Sequence, residues 1–295
     1  MDPDTRPLSR FAVVVLFGLT IFVSAFLLFQ LQPIASKTIL PWFGGTASVW
    51  TICMLFFQAL LFLGYAYAHV VSRYFPSLGQ FAVHGAVLAG GAALVAWQGI
   101  APQPGQLPAH PGNPATDILL VLFRTVGLPY FALAATSPFL QAWFSRLHPA
   151  REPYLLYAVS NVGSLAALLS YPVAIEPWMP LTVQSRIWGL GFVAFALANI
   201  LLLGRSVVAA GRCPPAGAGG SDPMRPADGN ARESAAAAGL SDAAQAALWF
   251  LLPMLSSVLL LAVTNQMCVD VASGPFLWIL PLSIYLVTFI VTLDR

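Results

Sequence analysis

The sequence predicts an all-α polytopic membrane protein with about eight transmembrane helices. Apolar residues make up 58% of the chain and charged residues only 8%, whereas soluble domains carry about 25% charged residues. The mean hydropathy is +0.79. Eight apolar runs also approach or exceed the roughly 20 residues that a helix needs to cross the hydrocarbon core of a bilayer. A lipid bilayer is therefore the first partner that we expect.

The first two apolar runs, residues 11–32 and 47–71, flank the only lysine of the chain. The first run is too long for a signal-peptide core and no small-residue cleavage site follows it, so we expect it to remain as a spanning helix. Prolines and glycines between the two runs predict a short, broken connection. Lys37 lies in this connection.

Six further runs complete the prediction. The fourth is interrupted around Gly127 and Pro129, and this predicts a kink or break. A connection with five prolines, residues 99–116, separates it from the third run and is not expected to be a membrane helix. The six runs cover residues 80–98, 117–144, 154–175, 187–203, 242–264 and 275–293.

The composition changes sharply after the sixth run. Residues 205–241 are rich in Gly, Ala and Pro with scattered charge, which is typical of a flexible linker rather than of a packed core. The sequence therefore predicts a six-helix membrane bundle over residues 1–204. The linker at 205–241 is followed by two further membrane helices over residues 242–295, which would begin an incomplete second half.

The distribution of basic residues predicts the orientation of the chain. Ten of the thirteen Lys and Arg residues fall on the N-terminal side of the predicted spans, and only Lys37 and Arg186 fall on the other side. Arg124 lies inside the fourth run. Positively charged loops remain in the cytoplasm. We therefore expect both termini of the chain to be cytoplasmic.

Several classes of function lack any signal in the sequence. The net charge is +2 without a basic block, so nothing indicates nucleic-acid binding. The three cysteines form neither a CxxC motif nor a zinc-ligand spacing. No catalytic or nucleotide-binding motif is present, and the glycines of 216–220 lie in the linker. We expect no cofactor, no metal, and no catalysis by this chain alone.

Polar side chains inside the apolar runs are the candidates for function, because each one costs free energy unless it is paired or faces a cavity. Gln58, Tyr65 and His69 recur on one face of the second run, and Tyr157 and Asn161 begin a similar face on the fifth. These faces are expected to turn toward a common interior. The candidate solute-binding residues are Gln30, Gln32, Lys37, Gln58, Arg124, Tyr157, Asn161, Thr264, Asn265 and Asp270.

Each candidate also has a purely structural interpretation. Ser, Asn and Gln in spanning helices often only bond neighbouring helices, and a lysine can extend its ammonium group to the interface. Arg124 lies inside a predicted span and therefore needs a carboxylate or carbonyl partner. Asp117, Glu176 and Asp270 are the candidate carboxylates, all on the predicted outer side.

Several local patterns of the sequence have unusual spacing. The first combines Gln30, Gln32, Pro33 and Lys37 with the segment LPWFGGT at residues 40–46. The others are FFQ at 56–58, GYAYAH at 64–69, GLPYF at 127–131, TSP at 136–138, QAWF at 141–144, LAVTN at 261–265, PFLW at 275–278, and the pattern YxLYAxSNxGS at 154–164. Together they resemble the membrane part of the bacterial fused major-facilitator/spermidine-synthase-like proteins.

The resemblance implies a fold, a location and a partner. It implies a facilitator-like six-helix half, a cytoplasmic linker and the start of a second half, in a bacterial inner membrane. Members of this family carry a further C-terminal domain similar to spermidine synthases, which are polyamine aminopropyltransferases. The sequence ends at Arg295 after the eighth predicted span, so we expect this chain to be truncated before that domain. Gln266 also departs from the pattern, where a histidine is expected.

Two main hypotheses of function remain open from the sequence. The first is a membrane module that transports or binds a polyamine or a related small cation. The alternative is a membrane anchor or regulatory domain for an absent, downstream spermidine-synthase-like domain. A third hypothesis is a truncated product without function.

Overall fold

A computed structural model of the protein describes residues 10–103, 113–147, 154–212 and 275–293, together with helical positions between 251 and 266. All regular structure in these residues is helical. The helices are α1 (Arg10–Phe43), α2 (Ala47–Tyr74), α3 (Ser77–Gln98), α4 (Pro114–Leu122), α5 (Leu128–Leu147), α6 (Tyr154–Ser170), α7 (Leu181–Arg212) and α8 (Pro275–Leu293), with π-helical turns at Phe123–Gly127 and Tyr171–Ile175.

The helices have the length and the surface of membrane spans. In the described part of the chain, six helices are long and apolar enough to cross a membrane, with α4 and α5 counted as one helix. Large apolar side chains cover their outer surface, and Phe62 and Leu190 expose 71% and 73% of their area. An apolar outer surface of this extent matches a hydrocarbon solvent rather than water. The predicted all-α polytopic membrane class is confirmed.

The long helices alternate in direction, and this defines two ends of the bundle. We call the end at which α1 begins the N-side and the opposite end the far side. The end of α2, the start of α3 and the end of α5 meet on the N-side, where Gln80 contacts both Ser72 and Arg146. The end of α1 and the residues after α6 meet on the far side, where Lys37 pairs with Glu176.

Helix α1 is longer than the sequence predicts. It continues through Pro33 and Pro41 to Phe43, so the predicted broken connection around Lys37 is wrong. The connection to α2 is only residues 44–46, where Gly44 adopts a φ of +78° that favours glycine. At 1.5 Å per residue, the 34 residues of α1 extend about 51 Å. This exceeds the roughly 30 Å hydrocarbon core. The helix therefore extends past its predicted end at residue 32, although it contains two prolines.

The predicted break in the fourth run is a π-helical turn. It covers Phe123–Gly127, directly before Leu128 and Pro129. Because Pro129 has no N–H group, it cannot donate the α-helical hydrogen bond to residue 125. A π-bulge is one way in which a helix accommodates such a loss.

Two other boundaries can be compared with the prediction. Helix α7 continues to Arg212, so the chain is helical beyond the predicted start of the linker at 205. Residues 213–250 lie outside the described residues. The described positions from 251 to 264 are helical, as the seventh run predicts. Helix α8 has the bounds of the eighth run, Pro275–Leu293.

Helix α1 contacts α2, α4, α5, α6 and α7, and small residues let helices of the bundle approach each other closely. A Cβ atom placed on Gly163 of α6 would lie 2.7 Å from the backbone oxygen of Phe22 in α1. A Cβ atom placed on Gly64 of α2 would likewise lie 2.7 Å from the Cβ atom of Ala134 in α5. Small residues at such contacts are characteristic of helix packing in membranes, where van der Waals packing drives association.

A continuous apolar core joins α1, α2, α5 and α7. Phe57 and Tyr130 pack with a centroid distance of 5.0 Å, and Trp188 stacks on Phe192 at 5.4 Å. The indole Nε1 of Trp188 donates a hydrogen bond of 2.8 Å to the backbone oxygen of Leu27. The large aromatic residue therefore places its apolar surface in the core and its polar atom on a partner.

Gln80 connects three helices on the N-side. Its side-chain Nε2 donates to the backbone oxygens of Ser72, at 3.1 Å, and Phe75, at 2.7 Å. Its Oε1 accepts from Trp143 Nε1 at 2.7 Å and from Arg146 Nη1 at 3.1 Å. Arg146 also donates to the backbone oxygen of Ser72. We call Gln80, Ser72, Phe75, Trp143 and Arg146 the Gln80 cluster.

Candidate functional site

A cavity of about 480 Å³ lies inside the bundle, between α1, α2, α5, α6, α8 and Leu260. We call it the central cavity. Pockets that hold small molecules typically measure about 300–1,000 Å³. It is therefore large enough for a small organic solute.

Helix α6 forms one polar wall of the central cavity. Tyr157, Ser160, Asn161 and Ser164 line it, and their spacing of three and four residues places them on one helix face. The Nδ2 atom of Asn161 is buried and has no hydrogen-bond partner within the described residues. Burying an amide donor without a partner costs free energy. A hydrogen-bond acceptor on a solute that enters the cavity can offset this cost.

Helices α1, α2 and α5 add further neutral polar groups. Gln58 and Tyr65 of α2 line the cavity together with the apolar Leu61. Gln32 of α1 also lines it and donates from Nε2 to the hydroxyl of Tyr130 at 3.0 Å, which fixes its orientation. Ser137 of α5 lies 3.3 Å from Ser160, measured between their Oγ atoms.

A second cavity of about 260 Å³ continues from the first toward the N-side. The two cavities share five lining residues, Tyr65, Ser137, Tyr157, Ser160 and Asn161. The second one reaches His69 and Ser72, near the end of α2. A nearly continuous space therefore leads from the middle of the bundle toward the N-side.

The space toward the far side is much smaller. A third cavity there measures about 20 Å³ and is lined by Gln32, Gln58, Thr264 and apolar side chains. A volume of this size holds about one water molecule. Beyond it, Ile34, which is 2% exposed, belongs to the packed core. The cavity next to the central cavity is therefore larger toward the N-side than toward the far side.

The structure distributes the ten candidate residues over different places. Gln32, Gln58, Tyr157 and Asn161 line the central cavity. Thr264 lines the third cavity, and its hydroxyl donates to the backbone oxygen of Leu260 at 2.7 Å. The other predicted residues are at a distance from these cavities or outside the described residues; Asn265 and Asp270 belong to the latter group.

Gln30 bonds a neighbouring helix instead of lining a cavity. Its Nε2 donates to the backbone oxygen of Ala167 at 2.8 Å and to Ser170 Oγ at 3.0 Å. Both partners belong to α6. Gln30 therefore supports the close contact between α1 and α6, in agreement with the structural interpretation of such residues.

Lys37 lies on the far side, away from the central cavity. It forms an ion pair with Glu176, and its Nζ atom is 5.2 Å from the centre of the Tyr171 ring. The side chains of Lys37 and Glu176 are 17% and 28% exposed. The Tyr171 hydroxyl donates to Gln184 at 3.2 Å. These contacts link α1 to the residues between α6 and α7.

Arg124 lies on the surface of the bundle, in the π-helical turn before α5. Its backbone oxygen accepts a hydrogen bond of 2.8 Å from Gln98. Among the described residues its guanidinium forms no ion pair, and Glu176, one of its predicted partners, pairs with Lys37 instead. An exposed position lets the charged group reach the membrane interface, so the buried partner that we expected is not required.

Several polar residues of the central cavity are not among the ten candidates predicted from the sequence. Ser24, Ser137, Ser160 and Tyr285 line it without having been selected as candidates. Ser160 could have been found, since it lies three residues after Tyr157 on the same polar face. Ser137 could also have been found, since it lies four residues before Gln141 on one face of α5.

The described residues contain no group of three or more His, Cys, Asp or Glu side chains that could hold a metal ion. Comparisons of the chain with protein-family models, curated proteins and solved structures find no match. The class of the protein therefore follows from its fold and cavity alone. It is an all-α, multi-pass membrane protein whose bundle contains a cavity lined by both polar and apolar side chains.

Proposed function

We propose that this protein binds a small solute within the membrane and moves it across. The observation that carries the proposal is the central cavity, because polar groups from several helices line one space there and the Nδ2 atom of Asn161 has no hydrogen-bond partner within the described residues. Polar side chains at membrane depth are expensive and mark solute pathways when they face a cavity. Binding at mid-depth between helices is also the usual arrangement in secondary transporters.

The unequal spaces on the two sides support the same proposal. A transporter exposes its site to one side at a time. The 260 Å³ cavity toward the N-side and the 20 Å³ cavity toward the far side have this asymmetry. In this proposal the structure corresponds to a state that loads or releases its solute on the N-side.

The resemblance to the fused major-facilitator/spermidine-synthase-like family remains part of the proposal. It suggests a polyamine or a related small cation as the solute. It also suggests the alternative function, a membrane anchor for a synthase-like domain. An anchor requires a stable bundle but no particular lining of the cavity, so cavity substitutions separate the two functions.

The test is transport by the purified protein in liposomes. The labelled solutes are spermidine, its fully N-acetylated uncharged derivative, and a set of small amides and polyols. We expect at least one solute to cross faster than in empty liposomes. The Asn161→Leu variant should abolish this, since Asn161 lines both larger cavities.

The matched control is Val162→Leu, which changes the next residue on the outer surface of α6, where Val162 is 44% exposed. This variant should transport like the wild type. Equal transport by both variants, or no movement of any solute by a folded wild-type protein, would contradict the proposed function and favour the anchor.

A further inference from the structure

The described side chains that line the central cavity are all uncharged. The described side chains around it offer carboxamides, such as Asn161 and Gln58, and hydroxyls, such as Ser160 and Tyr157, but no carboxylate, ammonium or guanidinium group. The imidazole of His69 lines the second cavity, at its N-side end.

The sequence extends this observation beyond the described side chains. No Asp or Glu occurs in α1, α2, α5, α6 or α8, or between residues 251 and 266. These are the segments that surround the central cavity. No rearrangement of their side chains can therefore bring a carboxylate to the middle of the bundle.

A charged solute is bound best by such a partner at this depth. An ion taken out of water into a low-dielectric site loses its hydration, and a countercharge restores most of the loss. Glu176, which follows α6 on the far side, forms an ion pair with Lys37. Neutral hydrogen-bonding groups, by contrast, pair well with amide or hydroxyl groups of a solute.

The lining of the central cavity combines polar and apolar side chains. Its polar groups come mainly from α2 and α6, where Gln58 and Asn161 lie. Apolar side chains come from α1, α2, α5 and α8 and from Leu260, with Leu282 and Leu286 among them. A ligand that matches this lining carries both hydrogen-bonding groups and hydrocarbon.

We infer that the central cavity selects an uncharged, amphipathic solute with amide or hydroxyl groups and rejects polyamines and other small cations. This inference rests on the proposed function, because it specifies the solute class of that same site. The uncharged solute differs from the polyamine that the family resemblance suggests. The two solute classes lead to opposite predictions for a neutral and a cationic reagent.

The experiment compares two thiol reagents of nearly equal size on the protein in lipid bilayers at pH 7. Ethyl methanethiosulfonate is neutral, and its aminoethyl analogue is a cation. Their targets are Ser160→Cys and, independently, Ser137→Cys, two small substitutions in the lining. Peptide mass spectrometry quantifies the label at the substituted position only, so the native cysteines do not interfere.

The control is Ser77→Cys, an exposed position at the start of α3 on the N-side. Both reagents should modify it at similar rates after correction for their reactivity with a free thiol in water. At Ser160→Cys and Ser137→Cys we expect the cationic reagent to react at least about tenfold more slowly than the neutral one, because the charge must leave water without a partner.

Two other outcomes are possible, and each contradicts either the neutral selectivity or the proposed function. Equal corrected rates in the cavity, or a faster cationic reagent, overturn the neutral selectivity but leave the proposed function intact. No reaction of either reagent at the two cavity positions, with normal reaction at Ser77→Cys, shows that small molecules do not reach the cavity and overturns the proposed function as well.

Discussion

The Gln80 cluster and the central cavity are both polar regions inside an apolar bundle, but they are organised in opposite ways. In the Gln80 cluster, the carboxamide uses both its donor and its acceptor atoms on protein partners at 2.7–3.1 Å. In the central cavity, the carboxamide of Asn161 has a buried donor without a partner within the described residues, and the cavity lies beside it.

This difference distinguishes polar residues with a structural role from those with a functional role in a membrane protein. A buried group that is fully satisfied by the protein stabilises one arrangement of helices. A group that faces a cavity contributes little to folding and is available to a ligand. Substitutions in the Gln80 cluster should therefore mainly reduce stability. Substitutions of the same type in the central cavity should mainly reduce solute binding.

The largest loss of stability is expected from Gln80→Leu. It leaves Trp143 and Arg146 without their shared acceptor in a site where Gln80 is 1% exposed. We expect a loss of about 3–5 kcal/mol in the free energy of unfolding. The measurement is the fraction of monodisperse protein that remains after heating in detergent. Gln58→Leu in the central cavity is the matched control and should change stability by less than about 1 kcal/mol. Similar losses in both variants would remove the distinction between the two regions.

The next effect concerns the helix that carries the polar wall of the cavity. Gly163→Ala adds a Cβ atom 2.7 Å from the backbone oxygen of Phe22, and a backbone atom of α1 cannot move aside cheaply. We expect a loss of about 1–3 kcal/mol, measured by the same heating assay. Gly18→Ala in α1 is the control, since its Cβ would meet no atom within 4 Å. An unchanged stability of Gly163→Ala would mean that α6 and α1 are not held in this close contact.

A smaller effect is expected at the ion pair on the far side. Lys37→Met leaves the Glu176 carboxylate without its ammonium partner, but both side chains are partly exposed, at 17% and 28%. We expect a loss of about 1–2 kcal/mol, less than for a fully buried pair. The double variant Lys37→Met/Glu176→Gln should regain most of it, because no unpaired charge remains. A double variant that is less stable than Lys37→Met would contradict the pairing as the source of the effect.

The smallest effect on stability is expected from Tyr157→Phe in the central cavity. Tyr157 is 46% exposed to this space, so its hydroxyl should contribute less than about 0.5 kcal/mol to folding. Solute transport should nevertheless weaken several-fold, since one hydrogen bond to a ligand contributes about 0.5–1.5 kcal/mol. Tyr74→Phe, at an N-side position that is 72% exposed, should change neither quantity. A large loss of stability in Tyr157→Phe would place it with the structural residues.

Hydrophobicity alone predicted the class of the fold and most of the spans. Apolar length is a local property, and the bilayer requires it of every spanning helix. The eighth run matches α8 in both bounds. The helix period also brought Tyr157 and Asn161 onto one face of α6 before any neighbour was known. The end of α1 was not predictable in this way, because prolines weaken a helix locally and packing can still retain it.

The roles of individual polar residues were decided only by the tertiary structure. Gln30 and Gln32 are two residues apart in α1 and equivalent in the sequence, yet Gln30 bonds α6 and Gln32 lines the cavity. Lys37 and Glu176 lie far apart in the chain and meet only when α1 and α6 pack. A helix period states which residues share a face, but the helices that pack against that face determine whether each polar group meets protein, lipid or an open cavity.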